Sequence, residues 1–104
     1  MIGATYKKDI KDLRQSPALD VMECLQKEGI KIAYHDPLIP YLKFRQIDLK
    51  SIKLSQKNLK VYDCIVIATD HSTIKFDFIL KNAKCIFDAR NVYKGINDRR
   101  VARL

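Results

Sequence analysis

The chain has 104 residues, the length of one domain with a single core. Its 47% hydrophobic and 31% charged residues are those of a soluble globular protein. No apolar run approaches the ~20 residues of a membrane helix and no secretory leader opens the chain, so a cytoplasmic setting is expected. The formal net charge of +8 points to an anionic partner, whether nucleic acid, a membrane surface or a phosphorylated small molecule.

In chain order, Met1 to Thr5 reads as the end of a strand whose first part is truncated. A charged loop follows, Tyr6 to Gln15, and closes on Ser16-Pro17. Ser16 is suited to accept from free helix N–H groups and Pro17 to the first helical position. A helix start placed after a strand offers backbone donors and partial positive charge to an anion. The helix is expected over Pro17 to Glu28, with Ala18, Val21, Met22 and Leu25 on one apolar face. Gly29 ends it in the left-handed conformation.

Ile30 to Tyr34 alternates and is β-branched, the pattern of a strand that Asp36-Pro37 stops. Leu38 to Asn58 holds no sustained period and reads as a loop with a short helix or small excursion. Lys57 to Lys60 reads as the remnant of a helix before the next strand. From Cys64 to Ala68 five apolar residues run unbroken, as in a parallel strand covered on both faces. Thr73 to Asn82 reads as a helix, Lys84 to Asp88 as a strand, and Asn91 to Leu104 as a loop with a frayed end. Strands at about residues 1–5, 30–35, 63–69 and 84–88 alternating with helices predict one α/β domain over residues 1–104: three layers around a parallel sheet. Ligands of such sheets bind outside the C-terminal strand ends.

The residue chemistry is sparse. Gly-x-Gly-x-x-Gly is missing after the first strand, so dinucleotide binding in its usual mode is not expected. Asp36 reads as a strand terminator more readily than as a ribose ligand. Ser72 follows His71 directly, which is not a nucleophile–base geometry; His71 reads as a locally bonded loop histidine. Asp9 and Asp12 stand among lysines and read as ion-pair partners. Cys24, Cys64 and Cys85 form no metal-ligand spacing and no disulfide framework, and each reads as a small buried hydrophobe. No catalytic set and no metal site is expected. What survives is an anion site of Lys7, Arg14 and Arg90 near strand ends. The competing reading pairs Arg14 with Asp12 and Arg90 with Asp88.

Four stretches together carry a resemblance. They are Gly3-Ala4-Thr5-Tyr6-Lys7-Lys8-Asp9-Ile10-Lys11-Asp12-Leu13-Arg14-Gln15-Ser16-Pro17, Tyr34-His35-Asp36-Pro37, Ala68-Thr69-Asp70-His71-Ser72 and Phe87-Asp88-Ala89-Arg90-Asn91. In that order and spacing the chain resembles the C-terminal, UDP-binding domain of the UDP-glucose/GDP-mannose dehydrogenase family. The resemblance implies a Rossmann-like fold covering a UDP-sugar, with NAD held mainly by a separate N-terminal domain. It implies an oxidoreductase that takes the sugar C6 alcohol to a carboxylate in two hydride transfers, in polysaccharide biosynthesis, within a homo-oligomer. By motif, Tyr6, Lys7 and Arg90 match substrate-binding positions, and Arg14 matches a position that reaches NAD. The Asp70-His71-Ser72 stretch looks closest to members acting on UDP-N-acetylhexosamines.

The departures matter as well. No NAD domain and no central dimerisation segment is present here, and none of the cysteines sits in the context of the family's nucleophile. The chain alone is therefore expected to be inactive. The rival reading is a small basic nucleic-acid-binding or interaction module. It would want exposed aromatics on a sheet face or a basic recognition helix, whereas Tyr34 and Phe87 fall in apolar strands.

Overall fold

The computed structural model describes residues 1–103. Its elements are α1 (Pro17–Lys27), β1 (Tyr41–Phe44), β2 (Ile47–Lys50), α2 (Gln56–Val61), β3 (Ile65–Ile67), α3 (Phe76–Asn82), β4 (Ile86–Asp88) and β5 (Val101–Arg103). β3, β4 and β5 form a parallel sheet in that order. Ile2 extends it by parallel bridges, to Ile67 on one side and His35 on the other. The α/β class with a parallel sheet is as expected.

The first two predicted strands shrink to these bridges. Ile2 N–H donates to the Val66 carbonyl at 2.7 Å and Gly3 N–H to the His35 carbonyl at 2.8 Å. Beyond them Gly3 takes φ +87°, and a Cβ there would stand 2.5 Å from the Thr69 Cβ. Only glycine lets the chain cross the end of β3 so closely. The strand therefore ends at the point where the charged loop begins.

α1 begins and ends as expected to within a residue, and Gly29 has φ +80°. Its buried face is Ala18, Leu19 and Met22, while Val21 is 44% exposed. The helix is turned because Leu19 and Met22 meet Tyr34, Ile39, Leu42 and Ile47, one of the two core clusters. Ser16 caps nothing: its hydroxyl donates instead to the Ala4 carbonyl at 2.7 Å.

The illegible stretch is an antiparallel hairpin, β1 with β2, closed between Phe44 and Ile47 by Arg45 and Gln46. Two-residue turns usually announce themselves with Asn-Gly or Asp-Gly. Here Arg45 takes φ +55°, and its guanidinium bonds Glu23 of α1 at 2.7 Å and lies 4.8 Å from the Phe44 ring centre. The Ser55 hydroxyl then caps α2 by accepting from the Asn58 N–H at 3.0 Å.

α2 and α3 cover one face of the sheet, where Leu59, Ile79 and Ala83 cluster with Ile2, Ile65, Ile67 and Ile86. β5 replaces the frayed terminus. Arg103 of this strand donates to the Ile96 carbonyl at 2.6 Å, and Arg100 just before it donates to the Ala83 carbonyl at 2.8 Å and pairs with the Asp98 carboxylate at 2.8 and 3.2 Å. The expectation of buried cysteines fails, since Cys24, Cys64 and Cys85 are all exposed. Cys64 and Cys85 precede the first buried residues of their strands, Ile65 and Ile86. A concavity of about 680 Å³ lies beside the start of β3, lined by Met1, Leu25, Ile30, Leu54, Val61 and Cys64 among others. It runs along Ile30 to His35 and so reaches the start of the second motif stretch, while its lining includes Ile2, next to the first stretch, and no residue of the other three.

Candidate functional site

At the C-terminal strand ends the four stretches interlock. Asp36 is 1% exposed, and its carboxylate is fully used. Oδ2 accepts from the Ala4 N–H at 2.7 Å and lies 2.9 Å from His71 Nε2; Oδ1 accepts from the Leu38 N–H at 2.8 Å. A buried carboxylate is tolerated when its lone pairs are met in this way. Asp36 is therefore more than a strand stop: it ties the second stretch to the first and the third.

His71 is equally buried, at 1%. Its Nδ1 accepts the Asp9 N–H at 2.9 Å, so in the neutral ring the proton is on Nε2 and is donated to Asp36. Nε2 is also 3.2 Å from the Thr5 hydroxyl, which donates to the Lys7 carbonyl at 3.0 Å. The expectation of purely local bonding is corrected here: every partner of the His71 ring lies in another stretch. The Asp9 carboxylate accepts from the Ser72 N–H at 2.8 Å and from the Ser72 hydroxyl. These two bonds, side chain first, hold the Asp9 carboxyl below its ordinary range. Asp9 thus bonds Ser72 rather than a lysine.

The fourth stretch closes the rim. Asp88, 1% exposed, spends both oxygens on backbone: it accepts from the N–H groups of Arg90 at 3.1 Å, Val92 at 3.1 Å and Tyr93 at 2.8 Å. The Arg90 side chain is free of Asp88 as a result. Its Nε donates to the Ala68 carbonyl at 2.6 Å and its Nη2 to the Tyr6 carbonyl at 3.1 Å. One guanidinium so joins the ends of β3 and β4 to the loop after Ile2.

Of the four residues singled out in the sequence, Tyr6, Lys7 and Arg90 come together. Tyr6 is 44% exposed and Lys7 exposed beside it. Arg14 is held elsewhere, in a two-point pair with Asp12 at 3.1 and 3.0 Å, its side chain 88% exposed. The hydrogen bonds of the pair raise the Arg14 guanidinium's pKa and lower that of Asp12. Asp36 and His71 were missed as a unit because no local signal joins residues so far apart in sequence. Among the described residues no group of three or more His, Cys, Asp or Glu side chains could hold a metal. Nor does the turn after Ile2 suit a dinucleotide pyrophosphate: Gly3 already packs on Thr69, and the loop beyond it is filled by Tyr6 to Asp12 rather than by glycine.

Comparison with known proteins agrees with this architecture. The UDP binding domain of the UDP-glucose/GDP-mannose dehydrogenase family matches residues 1–95. The UDP-N-acetyl-D-mannosamine dehydrogenase of Methanococcus maripaludis is 34% identical over 101 residues, which span 88% of this chain and 22% of that protein. That of Pyrococcus horikoshii is 30% identical over 99 residues, 90% of this chain and 22% of that protein. The solved UDP-N-acetyl-mannosamine dehydrogenase of S. aureus superposes with a TM-score of 0.67 at 29% identity, over 98% of this chain and 24% of the other. The chain thus spans under a quarter of the proteins it matches. With the four stretches interlocked at one sheet edge and the match running from residue 1 to 95, the chain belongs to the UDP-glucose/GDP-mannose dehydrogenase family, as its UDP binding domain.

Proposed function

We propose that this chain forms the UDP-sugar-holding wall of an NAD-dependent nucleotide-sugar 6-dehydrogenase, with Tyr6, Lys7 and Arg90 against the substrate. The observation that supports it most is the Arg90 guanidinium, seated between the Ala68 and Tyr6 carbonyls where three strand ends meet. Two of its N–H directions are spent on backbone; the rest, with the Lys7 ammonium, face a negatively charged ligand. The names of the relatives favour a UDP-N-acetylhexosamine as the sugar. The parent would act in polysaccharide biosynthesis in the cytoplasm, as a homo-oligomer.

NAD would accept hydride from the sugar C6 carbon while held by another domain. This chain's part is to bind and orient. Exposed Arg14 is the group we assign to reach NAD across the domain boundary; in this chain its guanidinium rests on Asp12 at 3.1 and 3.0 Å. Substrate held at reacting distance is what converts binding into rate.

The test is kinetic. In the dehydrogenase that contains this chain, Arg90→Ala should lower kcat/KM for the UDP-sugar about tenfold or more, since a charge-assisted bond is worth roughly 1.5–3 kcal/mol. Unchanged kcat/KM in a folded variant would leave Arg90 a fold residue and sink the assignment.

A further inference from the structure

We propose that His71, oriented by Asp36, is a positioning residue that sets the conformation of the loop carrying Tyr6 and Lys7. This rests on the reading of those two residues as ligand contacts.

The loop needs such a device. Asp9, at its centre, takes φ +61°, a left-handed conformation unfavourable for an L-residue. Tyr6, Lys7, Lys8, Asp9 and Ile10 are all exposed, so packing does not hold this part of the loop. What holds Asp9 is polar: its N–H reaches His71 Nδ1 at 2.9 Å and its carboxylate reaches Ser72. His71 cannot rotate away, because Asp36 engages Nε2 at 2.9 Å and both side chains are buried. Asp36 is itself fixed by the N–H groups of Ala4 and Leu38. The chain of bonds runs from Asp36 through one ring to the loop, and each link fixes the next donor's direction. The ring's two nitrogens have separate tasks: Nε2 anchors it on the body of the domain and Nδ1 receives the loop.

That division can be tested, because two amide side chains each keep one half of it. In His71→Asn the side-chain oxygen falls near Nδ1 and keeps the acceptor for Asp9. In His71→Gln the side-chain NH2 falls near Nε2 and keeps the donor for Asp36, while the acceptor for Asp9 is lost. Amide hydrogen exchange of the 104-residue chain, with no ligand present, reads the loop directly. We expect Asp9 exchange to rise about tenfold in His71→Gln, the equivalent of one lost hydrogen bond, and to rise clearly less in His71→Asn, which keeps the acceptor but loses its anchor on Asp36. The reverse pattern, equal effects, or global unfolding of both variants would make His71 a plain core residue and overturn the proposal. The same pair in the whole dehydrogenase should split the kinetics: KM for the UDP-sugar rises in His71→Gln and rises less in His71→Asn, with kcat changed less. Should Arg90→Ala leave kcat/KM untouched while the exchange pattern holds, the substrate assignment fails and the loop-setting role of His71 stands.

Discussion

Gly3 shows what one residue controls here. Any side chain at that position meets the Thr69 Cβ at 2.5 Å and backbone atoms of Thr69 at 2.6 and 2.7 Å, at φ +87°. Strain and overlap add, so Gly3→Ala should cost about 2–5 kcal/mol, read as a lower urea midpoint with unchanged slope. In the chain purified as these 104 residues, the α-amino group of Met1 carries a second effect. Burial, only partly opposed by Cys64, lowers its pKa to about 6 from 8.0. The folded chain therefore binds this proton less readily than the unfolded chain between these values. Stability should fall as pH drops from about 8 to 6 and this contribution should level off below. Urea unfolding at stepped pH checks it, and acetylating the amine should remove that component.

At the scale of elements, α1 distinguishes periodicity from packing. Its apolar residues allow two overlapping faces, and the hairpin decides between them by presenting Leu42 and Ile47 to Leu19 and Met22. Met22, fully buried, should lose about 2–5 kcal/mol on replacement by alanine. Val21, 44% exposed, should change stability by less than about 0.5 kcal/mol. Equal losses at both positions would mean that α1 is rotated from the orientation described. The hairpin itself was hidden because its turn is stabilised by Arg45 reaching Glu23 of α1 and the adjacent Phe44 ring, and not by turn-forming residues. β5 was hidden for a related reason: a three-residue basic segment becomes a strand only by pairing in parallel with β4.

At the scale of the molecule, the two ends of the sheet differ in character. The C-terminal strand ends carry the interlocked polar stretches, and the start of β3 borders an apolar groove of about 680 Å³. A phosphorylated ligand needs the first kind of surface, as open parallel sheets generally provide. The domain supplies neither a glycine-rich cofactor turn nor a nucleophilic cysteine in the family's context. The purified chain, given NAD and a UDP-sugar, should therefore produce no NADH above a heat-killed control, because hydride transfer needs both reactants held together. Steady NADH formation by this chain would refute that. Among the described residues no helix is long and apolar enough to cross a membrane.

The sequence by itself determined the α/β class, α1, the core strand at Ile65–Ile67 and the four stretches that carry the family resemblance. Those features are local: an unbroken apolar run, a helical period, and glycine or proline at an element's end. Strand order gathered Tyr6, Lys7 and Arg90 on one rim. Only the tertiary structure decided which bonds each polar residue makes. Asp88 reads as the natural partner of Arg90, two residues away, yet its oxygens go to backbone N–H groups and Arg90 reaches Ala68 and Tyr6 instead. Asp36 and His71 lie 35 positions apart and meet because their strands flank Ile2. A carboxylate or imidazole taken out of water must be paired, and which partner it finds is set by the strands that the fold places side by side.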